Sequence, residues 1–225
     1  MYTNFKIFGE MNENLYEAQY VVSKKNKVKK FYEENKILIF LIILTLIIFI
    51  GSIIFYLETK ETKKILLAEN YIEAKIYLEN DDRNKAKSIL KTIIFANDST
   101  YSALSLFLIL DENLIVDQKE LSNLFDQVLE NNKFEKEVKN LIIFKKALFQ
   151  SNFVNQEELL EALEPLLKTE TLWKSHALLL LGDYFFAKKE YLEAKKFYSQ
   201  ILSLKNLHKE FYEQARSQLI FITNE

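Results

Sequence analysis

With 225 residues the chain has room for one folded domain plus appendages, and the absence of cysteine excludes disulfides and thiolate metal sites. Three glycines and one proline are too few for a sheet-and-turn protein, so helices joined by short polar loops are expected. The formal net charge is −2; residues 1–36 carry seven Lys and five Glu, and residues 58–225 carry 23 basic and 27 acidic side chains, without the one-sided basic balance of a nucleic-acid binder.

The first 36 residues form a short tail in which Ile7, Phe8, Met11, Leu15 and Val21 alternate with polar residues. A cytosolic or interfacial helix is expected over about 5–33. Next comes Ile37–Leu57, 21 consecutive residues without a charge. As a helix this stretch is about 31 Å long, matching the ~30 Å hydrocarbon core of a bilayer. Lys24, Lys25, Lys27, Lys29, Lys30 and Lys36 precede it, whereas only Lys60, Lys63 and Lys64 follow closely. That bias predicts a cytoplasmic N-terminus and a far-side body, which in a Gram-negative cell means a single-pass inner-membrane protein with a periplasmic domain. The run is too long and starts too late for a cleaved signal peptide, and Phe55-Tyr56-Leu57 makes a poor cleavage site, so an uncleaved signal anchor is expected. The bilayer is then its first partner. Residues 58–64 are helix-friendly, so the span is expected to run almost directly into the body.

Residues 58–225 read as helical pairs. The clearest is 175–208, with Leu178, Leu181, Gly182 and Phe185 on one helix and Tyr191, Ala194, Tyr198 and Ile201 on the next. Gly182 and Ala194 stand twelve apart, and the unit resembles the tetratricopeptide repeat, whose small eighth and twentieth residues let paired helices approach closely. Leu178 stands at that repeat's usual Trp and Asn206 at its late Pro. Ala74 and Ala86 are also twelve apart, within 67–100, followed by Leu90 and Ile93. Helices are expected over 101–110, 119–130, 134–149 and 156–168, Pro165 kinking or shortening the last. Phe211, Ala215, Leu219 and Ile222 make one apolar stripe, as in a capping helix over 209–222. The expected fold is all-α: a single N-terminal transmembrane helix (37–57), then a tetratricopeptide-repeat-like α-solenoid (58–225) of about four helical pairs plus a C-terminal cap.

Tail, span and repeat body together resemble the YfgM-type family, the ancillary subunit of the Sec translocon, whose repeat domain is shared with a periplasmic cell-division coordinator. Ile7-Phe8-Gly9-Glu10-Met11-Asn12-Glu13-Asn14-Leu15 is similar to the IFxEVxExL opening of alphaproteobacterial members, and Leu166-Leu167, Trp173-Lys174, Ala177 and Gly182 follow the order of a second family segment. The resemblance implies a non-enzymatic scaffold linking export to periplasmic chaperones, with translocon subunits, chaperones or emerging polypeptides as partners. The alternative is an envelope-assembly or cell-division coordinator on the same scaffold. Within the repeat, the resemblance implies that His176, Leu179, Asp183 and Phe186 face the concave side and form a peptide groove. The competing role is packing against a neighbouring repeat or the cap, favoured for Leu179 and Phe186.

No catalytic, cofactor-binding or metal-ligating residue is expected, and no small-molecule substrate. His176 and His208 lie 32 residues apart, without metal-ligand spacing. Glu157, Glu158, Glu161 and Glu164 follow helical spacing, as on a solvated face. No GxSxG, P-loop or GxGxxG motif occurs.

Overall fold

A computed structural model describes the backbone of residues 3–205 and 207–224, and the side chains of 29–205 and 207–223. The tail's apolar side chains, Ile7 to Val21, and Asn206 fall outside the described ones. Every regular element among the described residues is a helix: α1 (Thr3–Glu79), α2 (Arg83–Phe95), α3 (Ser99–Asp111), α4 (Gln118–Asn131), α5 (Lys136–Gln150), α6 (Gln156–Leu167), α7 (Lys174–Ala187), α8 (Tyr191–Leu202) and α9 (Lys209–Asn224). The chain divides into two compact units, residues 1–63 and 64–225.

In the first unit, the large apolar side chains of Ile37–Leu57 are exposed around the whole circumference of α1, Ile39 alone being intermediate. A helix apolar on every side and packed on nothing matches a lipid-facing span, and α1 is long and apolar enough to cross a membrane. Its polar groups are satisfied internally, Thr45 and Ser52 donating to the Leu41 and Ile48 carbonyls at 2.8 and 2.9 Å.

The second unit is an all-helical stack. From α2 to α9 each helix packs on its sequence neighbour, and α2 with α4, α5 with α7 and α7 with α9 also meet. Extended contacts among these helices reach no further than two positions, unlike a closed bundle, where first and last helices meet. The last turns of α1 put Leu67 and Ala74 into the same core cluster as Leu90, Ile93 and Ile94 of α2, so α1–α2, α3–α4, α5–α6 and α7–α8 read as successive hairpins followed by α9. Two core clusters result, one running from Leu67 to Ile142 and one from Ala147 to Ala215, the division falling inside α5.

Helix ends carry their own signals. Asp82, Asp98 and Asp117 accept backbone N–H groups of the first turns of α2, α3 and α4, and Asn155 forms a capping box with Glu158 on α6. With glycine scarce, the left-handed residues that stop helices are Asp81, Asn97, Asn113 and Lys189, at φ 60, 56, 50 and 62°. After α1, α3 and α7 the following N–H closes back five residues, from Asp82 to Tyr77, Leu114 to Ile109 and Glu190 to Phe185 at 2.8, 3.0 and 2.9 Å, as in a Schellman motif. Lys189 alone lacks a short side chain suited to this region. Lys189→Gly is therefore expected to stabilise the body by about 0.5–1 kcal/mol, read as a higher urea midpoint in Trp173 fluorescence.

The middle of the chain departs from the twelve-residue rule for a visible reason. The α3–α4 turn, Glu112–Asp117, is longer than the α7–α8 turn and tucks Leu114 and Ile115 into the core. α3 buries Ser102, Ala103 and Ser105 beside Leu106, but the buried residues of α4, Leu121, Leu124, Phe125 and Val128, are all large. α5 starts at Lys136 rather than at Phe134, which packs against the first cluster instead. Pro165 stands in the last turn of α6, which ends two residues later, so the N–H it lacks is missed only near the helix end.

Candidate functional site

α7 is apolar nearly all round because it has neighbours on several sides. Ala177, Leu178, Leu181, Gly182, Tyr184 and Phe185 are buried on it, and Ala194, Tyr198 and Ile201 are buried on α8 within the same core cluster. This is where the structure places the seven repeat-packing residues Leu178, Leu181, Gly182, Phe185, Ala194, Tyr198 and Ile201. A Cβ on Gly182 would lie 2.5 Å from Tyr198 Cε1, so the small residue is what lets the Tyr198 ring lie against α7.

His176, Leu179, Asp183 and Phe186 form a half-buried stripe on α7. The His176 ring sits among Phe144 of α5, Trp173 before α7 and Phe211 of α9, at centroid distances of 5.4, 4.8 and 4.6 Å. Trp173 is pinned by its indole N–H donating to the Glu137 carbonyl at 3.1 Å, and the same loop is stitched to α5 through Thr171, Glu137 and Asn140. Phe186 lies 5.5 Å from both Tyr191 and Phe221 of α9. Leu179 packs on the second core cluster. Asp183 accepts the Tyr198 hydroxyl at 2.7 Å. Burial raises the Asp183 carboxyl, partly offset by that bond, and burial followed by Asp183 raises Tyr198 far above the ordinary phenol value. The stripe's two rings therefore meet the closing helix, which is the packing role weighed against the groove.

His176 Nδ1 is buried without a hydrogen-bond partner. Burial pushes the imidazole below its usual pKa, against smaller upward pulls from the Leu172 carbonyl and Glu210. Because the folded state holds the proton less tightly than the unfolded state, His176 contributes stability above the ordinary value of 6.5 and loses it as pH falls below. Asp183 has the opposite sign, its raised pKa favouring the fold on acidification from higher pH. His176→Phe is expected to flatten the decline in unfolding midpoint on going from about pH 7 to pH 5, while Asp183→Asn leaves the histidine component in place. An unchanged decline in His176→Phe counts against this role.

Sequence patterns on one helix could not reveal the ring box, because Phe144 and Phe211 lie on other hairpins. A second feature was readable and passed over. α2, RNKAKSILKTIIF, has four basic residues and no acidic one. Its outer face borders an open, shallow surface lined by Asn84, Lys87, Ser88, Lys91, Thr92 and Phe95. Among the described residues no cluster of three His, Cys, Asp or Glu side chains could hold a metal ion.

No family model, curated protein or solved structure matches the chain.

Proposed function

We propose that the chain is a membrane-anchored scaffold for protein–protein contacts, working beside the Sec translocon and handing emerging polypeptides to periplasmic chaperones. The observation that carries this reading is the pairing of Ile37–Leu57, apolar and exposed on every side, with a stack of helical hairpins. Such stacks present long faces built from successive hairpins, suited to holding polypeptides. The translocon and chaperones enter through the resemblance of the opening and of the 166–182 segment to the YfgM-type family.

Photo-crosslinking of the full chain in intact membranes tests the proposal. Translocon subunits and periplasmic chaperones are the expected products. Cell-wall synthases or division proteins instead would replace this reading by an envelope coordinator, and an absence of protein adducts would overturn the scaffold itself. Protease access tests the orientation: residues 58–225 should be cleaved only once the outer compartment is opened, and cleavage from the cytoplasmic face would reverse it.

A further inference from the structure

The two hairpins marked by small residues twelve apart can be laid on each other. A shift of 108 residues sets Ala74 on Gly182 and Ala86 on Ala194. The same shift sets Ile65 on Trp173, Ile72 on Leu180 and Ile76 on Tyr184, with Glu69 on Ala177 and Glu73 on Leu181. On α7 these positions belong to the side that meets the preceding hairpin. The Trp173 indole donates to the Glu137 carbonyl of α5, and the Tyr184 hydroxyl donates at 3.1 Å to the Val154 carbonyl just ahead of α6. Ala177 and Leu181 are fully buried, and α7 packs on both α5 and α6.

Within residues 64–225, α1 is the first helix of the stack, so no earlier hairpin covers the corresponding face. Ile65, Ile72 and Ile76 are 56, 58 and 49 % exposed, and Glu69 and Glu73 between them are exposed as well. The opposite side of the same turns is the one used internally, where Leu67 and Ala74 enter the first core cluster. A stack can end on a polar face without needing a cover, but three large aliphatic side chains in one stripe make a packing surface.

We propose that the Ile65–Ile76 face of α1 binds an amphipathic helix of a partner protein, one whose apolar stripe is flanked by lysine or arginine. The register supplies the shape of the occupant: against α7 this place is filled by helices, so a helix fits against α1. The substitutions supply its charge. Where α7 has Ala177 and Leu181, α1 has two carboxylates, and the matching helix is basic. Glu73 also acts on Lys85 of α2, but as the weakest of that lysine's attractions, behind Tyr77 and Asp82. A second copy does not suit this face. Two α1 helices anchored alike run parallel, and pairing them would set Glu69 against Glu69. The inference rests on the scaffold reading and gives that scaffold one contact surface.

The test uses the full-length protein in nanodiscs of phosphatidylcholine and three labelled peptides read by fluorescence anisotropy. One is built of leucine and lysine at helical spacing, one is the same composition scrambled so that no apolar face forms, and one has glutamate for lysine. Only the first is expected to bind. Ile72→Lys should weaken it about tenfold, whereas Ile220→Lys, at an exposed isoleucine of α9, should not. Glu69→Lys with Glu73→Lys should weaken the lysine peptide about tenfold and confer binding of the glutamate peptide. Trp173 fluorescence verifies that each variant is folded. No binding, equal binding of the scrambled peptide, indifference to Ile72→Lys, or charge reversal without effect each overturn the proposal. So does preferential disulfide formation between two copies of Ile72→Cys over two of Ile220→Cys in membranes, which would give the face to a second copy; the native chain has no cysteine to confuse the readout. The scaffold reading fails separately, through the absence of protein adducts in intact membranes.

Discussion

Replacing Gly182 by alanine is expected to destabilise the body by about 1–2 kcal/mol, and by valine about 3 kcal/mol or more. At an exposed helical position the same glycine-to-alanine change would stabilise by about 1 kcal/mol. The sign reverses because the new Cβ would lie 2.5, 2.8 and 2.9 Å from Cε1, Cδ1 and Cζ of Tyr198. That ring cannot simply swing aside. It is fully buried, and its hydroxyl is held by Asp183 at 2.7 Å. Room for the methyl group must come from separating α7 and α8, which loosens Leu178, Leu181, Ala194 and Ile201 together. Urea unfolding followed at Trp173 measures the loss. In a Tyr198→Leu background the ring is gone, and Gly182→Ala should become neutral or stabilising. A full penalty that persists without the ring would place the cause elsewhere than in this contact.

The same contact explains what could be read from the chain and what could not. Gly182 with Ala194 and Ala74 with Ala86 announce two hairpins because close approach needs small residues at a fixed spacing, and the turns between them are short. The α3–α4 hairpin hides because its turn is longer and the buried residues of α4, Leu121, Leu124, Phe125 and Val128, are all large. The α5–α6 hairpin keeps a twelve-residue spacing at Ala147 and Leu159, both fully buried, but only one of them is small. One helix end lacks its usual marker, since Lys189 occupies a left-handed position commonly held by glycine or asparagine. The stripe from His176 to Phe186 was visible as a helical face. A neighbouring repeat or the cap could be named as its cover, but not which rings of the cap, since Phe211 and Phe221 reach it from α9, whose own pattern shows only that it has one apolar side. The charge of α2 disappeared when it was summed into an acidic body. A local count against the helix dipole would have recovered it.

Converting Ile43, Ile47 and Ile50 to lysine is expected to move the full-length protein from the membrane pellet to the soluble fraction. Each lysine near the middle of a span costs about 2.5–3.5 kcal/mol, so three cost on the order of 8–10 kcal/mol. The opposing gain is of similar size, since each leucine, isoleucine or phenylalanine contributes only about 0.3–0.6 kcal/mol to insertion. Ile47→Leu controls for the substitution itself and should remain resistant to alkaline extraction. The stack should keep its fold in the triple variant, because among the described residues none of either core cluster precedes Leu67. Unchanged Trp173 emission together with loss of the pellet fraction would then separate anchoring from folding. The contrary outcome is equally informative. A side chain exposed to lipid cannot accept a charge at the bilayer centre, but one exposed to water can. A triple variant that still sediments and resists alkali would therefore mean that Ile37–Leu57 is not what holds the protein to the membrane, and the exposed isoleucines would need a protein partner instead.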